Sequence, residues 1–322
     1  MAPFILAEKF GMTQIERGFV TIREGQVHFR QARPQRVPSA VGEPGAAAEQ
    51  GATAENVPPL WMIHASPASS ISLTPLMREL AMSRHVIAPD TLGNGDSAAP
   101  DVDEPDIAYY AESSWRVMDA LGIEYVDLYG SHTGAHIASE MAISNPGRVR
   151  RMILDGIAMF EANDKREYLA HYAPSKLPDS TGAQFHWALQ FVRDQAWFFP
   201  YFRRDARHNR GLGLPPAEIL HQTTVEVLKA LTTYHLGYRA AFSHDDRARL
   251  PLVKVPSLVM ADASDPLAKG VPLAASLIQE ALPWIFYDDG DDAVAHKAAA
   301  LASYLDLGRI NAAITSEHRA AR

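Results

Sequence analysis

The chain has 322 residues, a formal net charge of −8 and no cysteine. That excludes disulfide frameworks, zinc–thiolate sites and cysteine nucleophiles, and it leaves no basic stripe for nucleic acid. Hydrophobic residues at 47% and charged residues at 21% fit one large soluble domain with an inserted piece, or two modest domains.

Residues 18–31 form two alternating runs around Glu24-Gly25 and predict a β-hairpin. Residues 33–59 are rich in Pro, Ala, Gly and Glu without periodicity and read as a loop insertion. Short apolar strands are expected at Leu60–His64, His85–Ala88, Tyr125–Tyr129 and Arg151–Asp155. Helical patterns lie between them, including Ala108–Leu121, and alternation of this kind means βαβ units with a mostly parallel sheet. From about Met159 to Leu250 no strand-like run appears. Aromatic-rich helical segments fill this stretch and read as an inserted helical cap. Alternation resumes with a strand at Pro256–Ala261, a helix near Val271–Glu280, a strand at Trp284–Tyr287 and a helix from Asp292 to Leu305. The last fifteen residues read as a polar tail or a frayed end. No run approaches the roughly 18 apolar residues of a membrane span, and the apolar run near the N-terminus lacks a basic segment. A soluble cytoplasmic protein is expected, with no membrane partner.

The stretch Gly130-Ser131-His132-Thr133-Gly134 follows a strand and opens a helix reaching about Asn145. Its spacing is that of a nucleophile elbow, G-x-Nu-x-G, with histidine at the tip. Such a tip is backbone-strained and faces a pocket, so a histidine there is expected to be used chemically. Two roles are open: a general base, suited to neutral pH by a reference pKa of ~6.5, or a nucleophile. Ser131 and Thr133 are adjacent hydroxyls whose side chains are expected to point away from the tip.

Three further loops carry motifs. They are His64-Ala65-Ser66-Pro67, then Asp90-Thr91-Leu92-Gly93-Asn94-Gly95-Asp96-Ser97, then Ala261-Asp262-Ala263-Ser264-Asp265-Pro266. With the His132 turn, these motifs resemble the α/β-hydrolase fold superfamily, in the capped subgroup of epoxide hydrolases, haloalkane dehalogenases, C–C hydrolases and small-ester hydrolases. The resemblance runs from about residue 18 to 307. It implies a mostly parallel eight-stranded sheet flanked by helices, with a core domain of residues 1–158 and 251–322 and a cap of residues 159–250. It also implies an oxyanion hole built from the N–H of Thr133 with that of Ser66 or Ala65, and Asp265 as the acid of a catalytic group.

The chain departs from the family where the catalytic histidine usually stands, because Asp291 occupies that position. A Ser-His-Asp triad cannot be written in its usual places. The family geometry instead suggests a His132–Asp291 dyad, with Asp291 or Asp292 alternatively capping the last helix. Asp265 and Asp291 together would press one carboxyl towards its protonated form. His296 reads as supporting or structural, and Asp155 as a surface or turn residue. His64, Phe191, Trp197 and Arg193 are expected at the substrate pocket, with Arg193 able to clamp a carboxylate or simply to pair with Asp194. His171, His186, His208, His221, His235 and His244 show no tight ligand spacing, so no metal and no cofactor are expected. The expected activity is hydrolysis of a small apolar or aromatic acyl, lactone or C–C-type substrate by water that His132 activates. A lyase or isomerase using the same base, and a binding protein without catalysis, are the alternatives. No sequence signal sets the oligomeric state.

Overall fold

A computed structural model describes residues 13–34 and 57–311. Most of the expected loop insertion and the end of the tail lie outside the described residues. Eight strands form one sheet: β1 (Glu16–Ile22), β2 (Gly25–Ala32), β3 (Leu60–Ile63), β4 (Val86–Pro89), β5 (Val126–Ser131), β6 (Val149–Asp155), β7 (Ser257–Asp262) and β8 (Ala281–Phe286). Their order is β1-β2-β4-β3-β5-β6-β7-β8. The hairpin β1–β2 is antiparallel and turns at the expected Glu24-Gly25, β2 joins β4 antiparallel, and every later pair is parallel.

The central strands read as unbroken apolar runs because both faces are covered. Successive side chains alternate between faces. Trp61, Ile63, Leu128 and Val259 pack with α2 (Ile107–Ala120), α3 (Thr133–Ser144) and α9 (Val271–Leu277). Leu60, Met62, Tyr129 and Leu258 pack on the other face with α1 (Thr74–Leu80) and α10 (Ala293–Leu307). β8 begins three residues earlier than its apolar pattern announces, since Ala281 and Leu282 pair with Ser257 and Leu258.

Between β6 and β7 the described chain holds helices α4 (Ala162–His171), α5 (Ala183–Trp197), α6 (Ala217–Lys229), α7 (Tyr234–Ser243) and α8 (Asp246–Arg249). They have a hydrophobic cluster of their own, dominated by tyrosines and phenylalanines. Phe191 meets Tyr201 edge-on at 4.8 Å, and Tyr172 meets Tyr238 at 5.1 Å, separations at which aromatic pairs gain beyond simple burial. Phe185, at the start of α5, is exposed and stays outside this cluster. No described helix is long and apolar enough to cross a membrane. The carboxyl ends of β3, β5, β6 and β7 open towards these helices, the usual place for a site in an open parallel sheet.

Candidate active site

His132 sits between β5 and α3 with φ 52° and ψ −111°. It is the one non-glycine residue at positive φ among the described residues, a conformation that costs on the order of 1–3 kcal/mol. Its N–H donates to the carbonyl of Asp155 at 2.8 Å, and its own carbonyl accepts from Ala135 N at 2.9 Å. The flanking glycines permit this crossing. A Cβ on Gly130 would lie 2.1 Å from the Gly134 carbonyl oxygen, and one on Gly134 would lie 2.2 Å from that of Ile63. Both obstacles are backbone and cannot swing aside. Gly134→Ala is therefore expected to cost well above the ~1 kcal/mol of an ordinary substitution. Urea unfolding measures this, and a loss under 1 kcal/mol would contradict the crossing.

The partner of His132 is Asp265, with Nε2 and Oδ2 2.8 Å apart. The Nδ1 atom lies 3.0 Å from Ser131 Oγ. Both ring nitrogens are thus engaged without Asp291, and the expected His132–Asp291 dyad is corrected. The reason is local: Asp291 lies in an exposed turn, and Asp292 takes the N-cap position of α10, without a side-chain cap bond. A carboxylate only accepts, so the ring proton sits on Nε2 and Nδ1 carries the lone pair. Burial lowers the pKa of His132, but the hydrogen bond and charge of Asp265, with the charge of Asp155, outweigh it and the net shift is upward. Asp265 is largely buried, which disfavours its charge. Its bonds to His132 and to Leu267 N nonetheless hold it below the usual carboxylate range, so the expected protonated carboxyl is not found there.

Below this pair lies a buried ionic cluster. Lys297 of α10 reaches Asp155 Oδ2 at 2.9 Å and Asp262 Oδ1 at 2.9 Å. Tyr129 donates to Asp155 Oδ2 at 2.6 Å. Asp155 is therefore an interior anion, not a surface turn residue. Lys297 and Tyr129 are absent from the motif reading, because one is a lone lysine in an alanine-rich helix and the other a strand aromatic. His296, one residue before Lys297, projects differently and pairs with Asp288 at 2.6 Å.

A cavity of about 350 Å³ opens over His132. Its polar wall includes Ser66, His132, Thr133, Gln195, Arg210 and Asp265, and its apolar wall is supplied by Phe160, Tyr172, Phe199, Tyr238 and Phe242. Ala65, Ser66 and Thr133 all face it as expected. Thr133 opens α3, so its N–H is one of the helix's first donors without an intrahelical acceptor. The other pocket expectations are corrected. His64 is buried, donates Nδ1–H to the Ala65 carbonyl at 2.8 Å and accepts from Thr91 N at 2.9 Å. It fixes two loops and does not line the cavity. Phe191 is core of the inserted helices. Arg193 pairs with Asp194 at 2.9 Å and stacks on Trp197 at 5.3 Å, which turns both outward from the wall. The cation on the cavity is Arg210, tied to the carbonyls of Gln195 and Ser264 at 2.9 and 3.2 Å, with its Nε buried and without a partner.

Residues 58–297 match a family model described as alpha/beta hydrolase fold. Over 103 residues the chain is 43% identical to a 2-hydroxymuconate semialdehyde hydrolase of Pseudomonas sp. (strain CF600), a stretch equal to 31% of this chain and 36% of that protein. The chain thus spans about a third of the length of the curated relatives it matches. It is similar in structure to an enol-lactonase from Burkholderia xenovorans LB400, with TM-score 0.58, 18% identity and coverage of 90% of this chain and 98% of that one. It is also similar to an esterase from Exiguobacterium antarcticum, with TM-score 0.63, 16% identity and coverage of 89% and 98%.

Proposed function

Because the chain belongs to the alpha/beta hydrolase fold family, we propose that it is a hydrolase of a small carbonyl substrate, an acyl ester, lactone or C–C-type ketone, with His132 as the working base. The single observation behind this reading is the His132–Asp265 contact of 2.8 Å on the cavity wall. Residues 159–250 act as the cap that closes the cavity. In this reading a water displaces the Ser131 hydroxyl from Nδ1. His132 takes its proton, and the hydroxide oxygen adds to the carbonyl carbon. The N–H groups of Thr133 and of Ser66 or Ala65 hold the resulting oxyanion. Collapse breaks the bond to the leaving alkoxide or enolate, which recovers the proton from the imidazolium. Asp265 fixes the tautomer and supports the charged ring. Arg210 takes the clamp role expected of Arg193 and suits a substrate carrying a carboxylate. The named relatives act on an enol-lactone and on 2-hydroxymuconate semialdehyde, substrates of this chemical kind.

One observation favours a second route within the same function. Ser131 Oγ is 3.0 Å from the lone-pair nitrogen of His132, so Ser131, His132 and Asp265 have the connectivity of a triad. Ser131 is not part of the cavity wall, which favours water as the nucleophile. Fluorophosphonate labelling read by mass spectrometry separates the routes. Turnover without an adduct supports activated water, and a stoichiometric adduct on Ser131 with loss of turnover supports the serine.

The base itself is tested with p-nitrophenyl esters, aryl lactones and dienoate ketones. Asp265→Asn is expected to lower turnover by about 10²–10⁴-fold. It is also expected to move the ascending limb of the pH–rate profile to lower pH, since Asp265 holds the His132 pKa up. Asp291→Asn is expected to leave both unchanged. The opposite ranking would restore Asp291 as partner.

A further inference from the structure

His136, Glu140, His244 and Asp246 converge at the edge of the cavity, which His136 itself lines, outside the His132–Asp265 pair. His136 and Glu140 are four residues apart on α3 and so share one helix face. His244 ends α7 and Asp246 opens α8. The side chains of all four are at least nine-tenths buried, with 2%, 5%, 9% and 3% of their area exposed in that order. Asp246 Oδ1 is 2.6 Å from His136 Nδ1 and 3.8 Å from His244 Nε2. Glu140 Oε1 is 3.5 Å from the same His244 nitrogen.

A purely structural tether explains part of this cluster. His136 Nδ1–H donates to Asp246, and Arg249 grips Glu140 with two bonds of 2.6 and 2.7 Å. It does not explain His244. Its Nε2 is buried, makes no hydrogen bond and faces two carboxylate oxygens. A buried polar atom left without a partner is uncommon, and an unplaced ion is one of the accepted reasons for one. Two imidazoles and a carboxylate are the donor set of zinc and of other divalent first-row metals, not of magnesium or calcium. The three donor atoms lie within 4.8 Å of one another. Bonds of ~2.0–2.2 Å in a tetrahedral site place ligands roughly 3.3 Å apart. The contacts of 2.6 and 3.8 Å straddle that spacing, so small side-chain shifts suffice, with the His136 proton moving to Nε2.

We propose that His136 Nδ1, His244 Nε2 and Asp246 Oδ1 bind one divalent transition-metal ion, best matched by zinc, with Glu140 beside it and oriented by Arg249. The ion ties α3 to the junction of α7 and α8. It therefore braces the wall that carries His132 one helical turn earlier. The site is independent of the hydrolase reading. Linear spacing does not show the site because His136 stands more than a hundred residues before His244 and Asp246.

The test uses the full, untagged chain stripped with chelator and reloaded with Zn²⁺ or Co²⁺. The expected result is one ion per chain by elemental analysis, a visible Co²⁺ spectrum of tetrahedral intensity, and a zinc X-ray absorption shell of N/O donors near ~2.0 Å with imidazole scattering. His244→Ala and Asp246→Asn are each expected to weaken Zn²⁺ binding at least tenfold in calorimetry. His208→Ala, on the exposed surface pair with Asp205, is expected to leave it unchanged. Substoichiometric metal, binding that survives both cluster substitutions, or binding lost with His208→Ala overturns the proposal. The absorption measurement needs only the wild-type chain, so a variant that fails to fold does not protect the idea.

Discussion

His132→Ala is expected to reduce kcat by at least about 10³-fold while lowering Tm by only a few degrees. The activity loss follows from removing the base, which contributes about 10²–10⁴-fold in enzymes of this kind. The small stability effect has three sources. The imidazole is 42% exposed on its cavity side and packs little. Asp265 keeps a hydrogen bond from Leu267 N at 2.8 Å after the imidazole is gone. In a chain of this size 1 kcal/mol moves Tm by about 2–4 °C. His132→Gly is expected to be equally inactive and more stable than the alanine variant, because alanine keeps the positive φ penalty and glycine does not. The pH dependence has a defined sign. Asp265 raises the folded-state pKa of His132 above its unfolded value of ~6.5. The stabilisation from this pair is therefore full below ~6.5 and fades as pH rises through the folded pKa. Activity runs the other way and ascends over the same interval, since only neutral imidazole accepts a proton. His132→Ala should abolish both trends, which urea unfolding and pH–rate profiles measure. Appreciable turnover by His132→Ala, or an unshifted stability profile, removes His132 from the mechanism.

The sheet was legible in the sequence because its central strands are short apolar runs between turn signals, and covering both faces produces that pattern directly. The His132 turn was legible because the glycines at 130 and 134 answer to backbone contacts that no other residue tolerates. The partner of His132 was misread for a physical reason. Exchange of residue type at two positions suggests contact only if the loop keeps its course. Here Asp291 stays in an exposed turn, while Asp265, already at the family's acid position, reaches the imidazole directly. Of the two readings open for Arg193, the structure shows the pairing with Asp194. Arg210 carries no motif, and only the fold brings it to the cavity wall. Lys297 had no local signal: a buried lysine is specified by the two carboxylates it meets, and these come from β6 and β7, about 140 and 35 residues away in the chain.

Lys297→Met is expected to destabilise the fold by about 3 kcal/mol at pH 7. Removing one partner of a buried ion pair commonly costs about 3–5 kcal/mol because an uncompensated charge stays behind. The lower end applies, since Asp262 has 47% of its side chain exposed and can rehydrate, whereas Asp155 at 7% cannot. Methionine fills most of the aliphatic volume, so the loss reports charge and not packing. The deficit should shrink as pH falls towards 4. Without the ammonium the cost is that of a buried, unpaired negative charge, and acid removes that charge by protonation. Burial lowers the pKa of Lys297, but the charges and hydrogen bonds of Asp155 and Asp262 overcome it and hold the group well above its ordinary value. In the wild type the cluster should therefore persist until pH rises beyond ~10.4, the reference value for lysine. The double variant Lys297→Met/Asp155→Asn should recover much of the loss, because no buried anion is then left unpaired. The same substitution reaches the active site. The Lys297 charge lowers the His132 pKa, so its removal should shift the ascending limb of the pH–rate profile to higher pH while Asp265 stays in place. A variant as stable as wild type at pH 7, with an unmoved limb, would show that Lys297 neither holds Asp155 nor tunes His132.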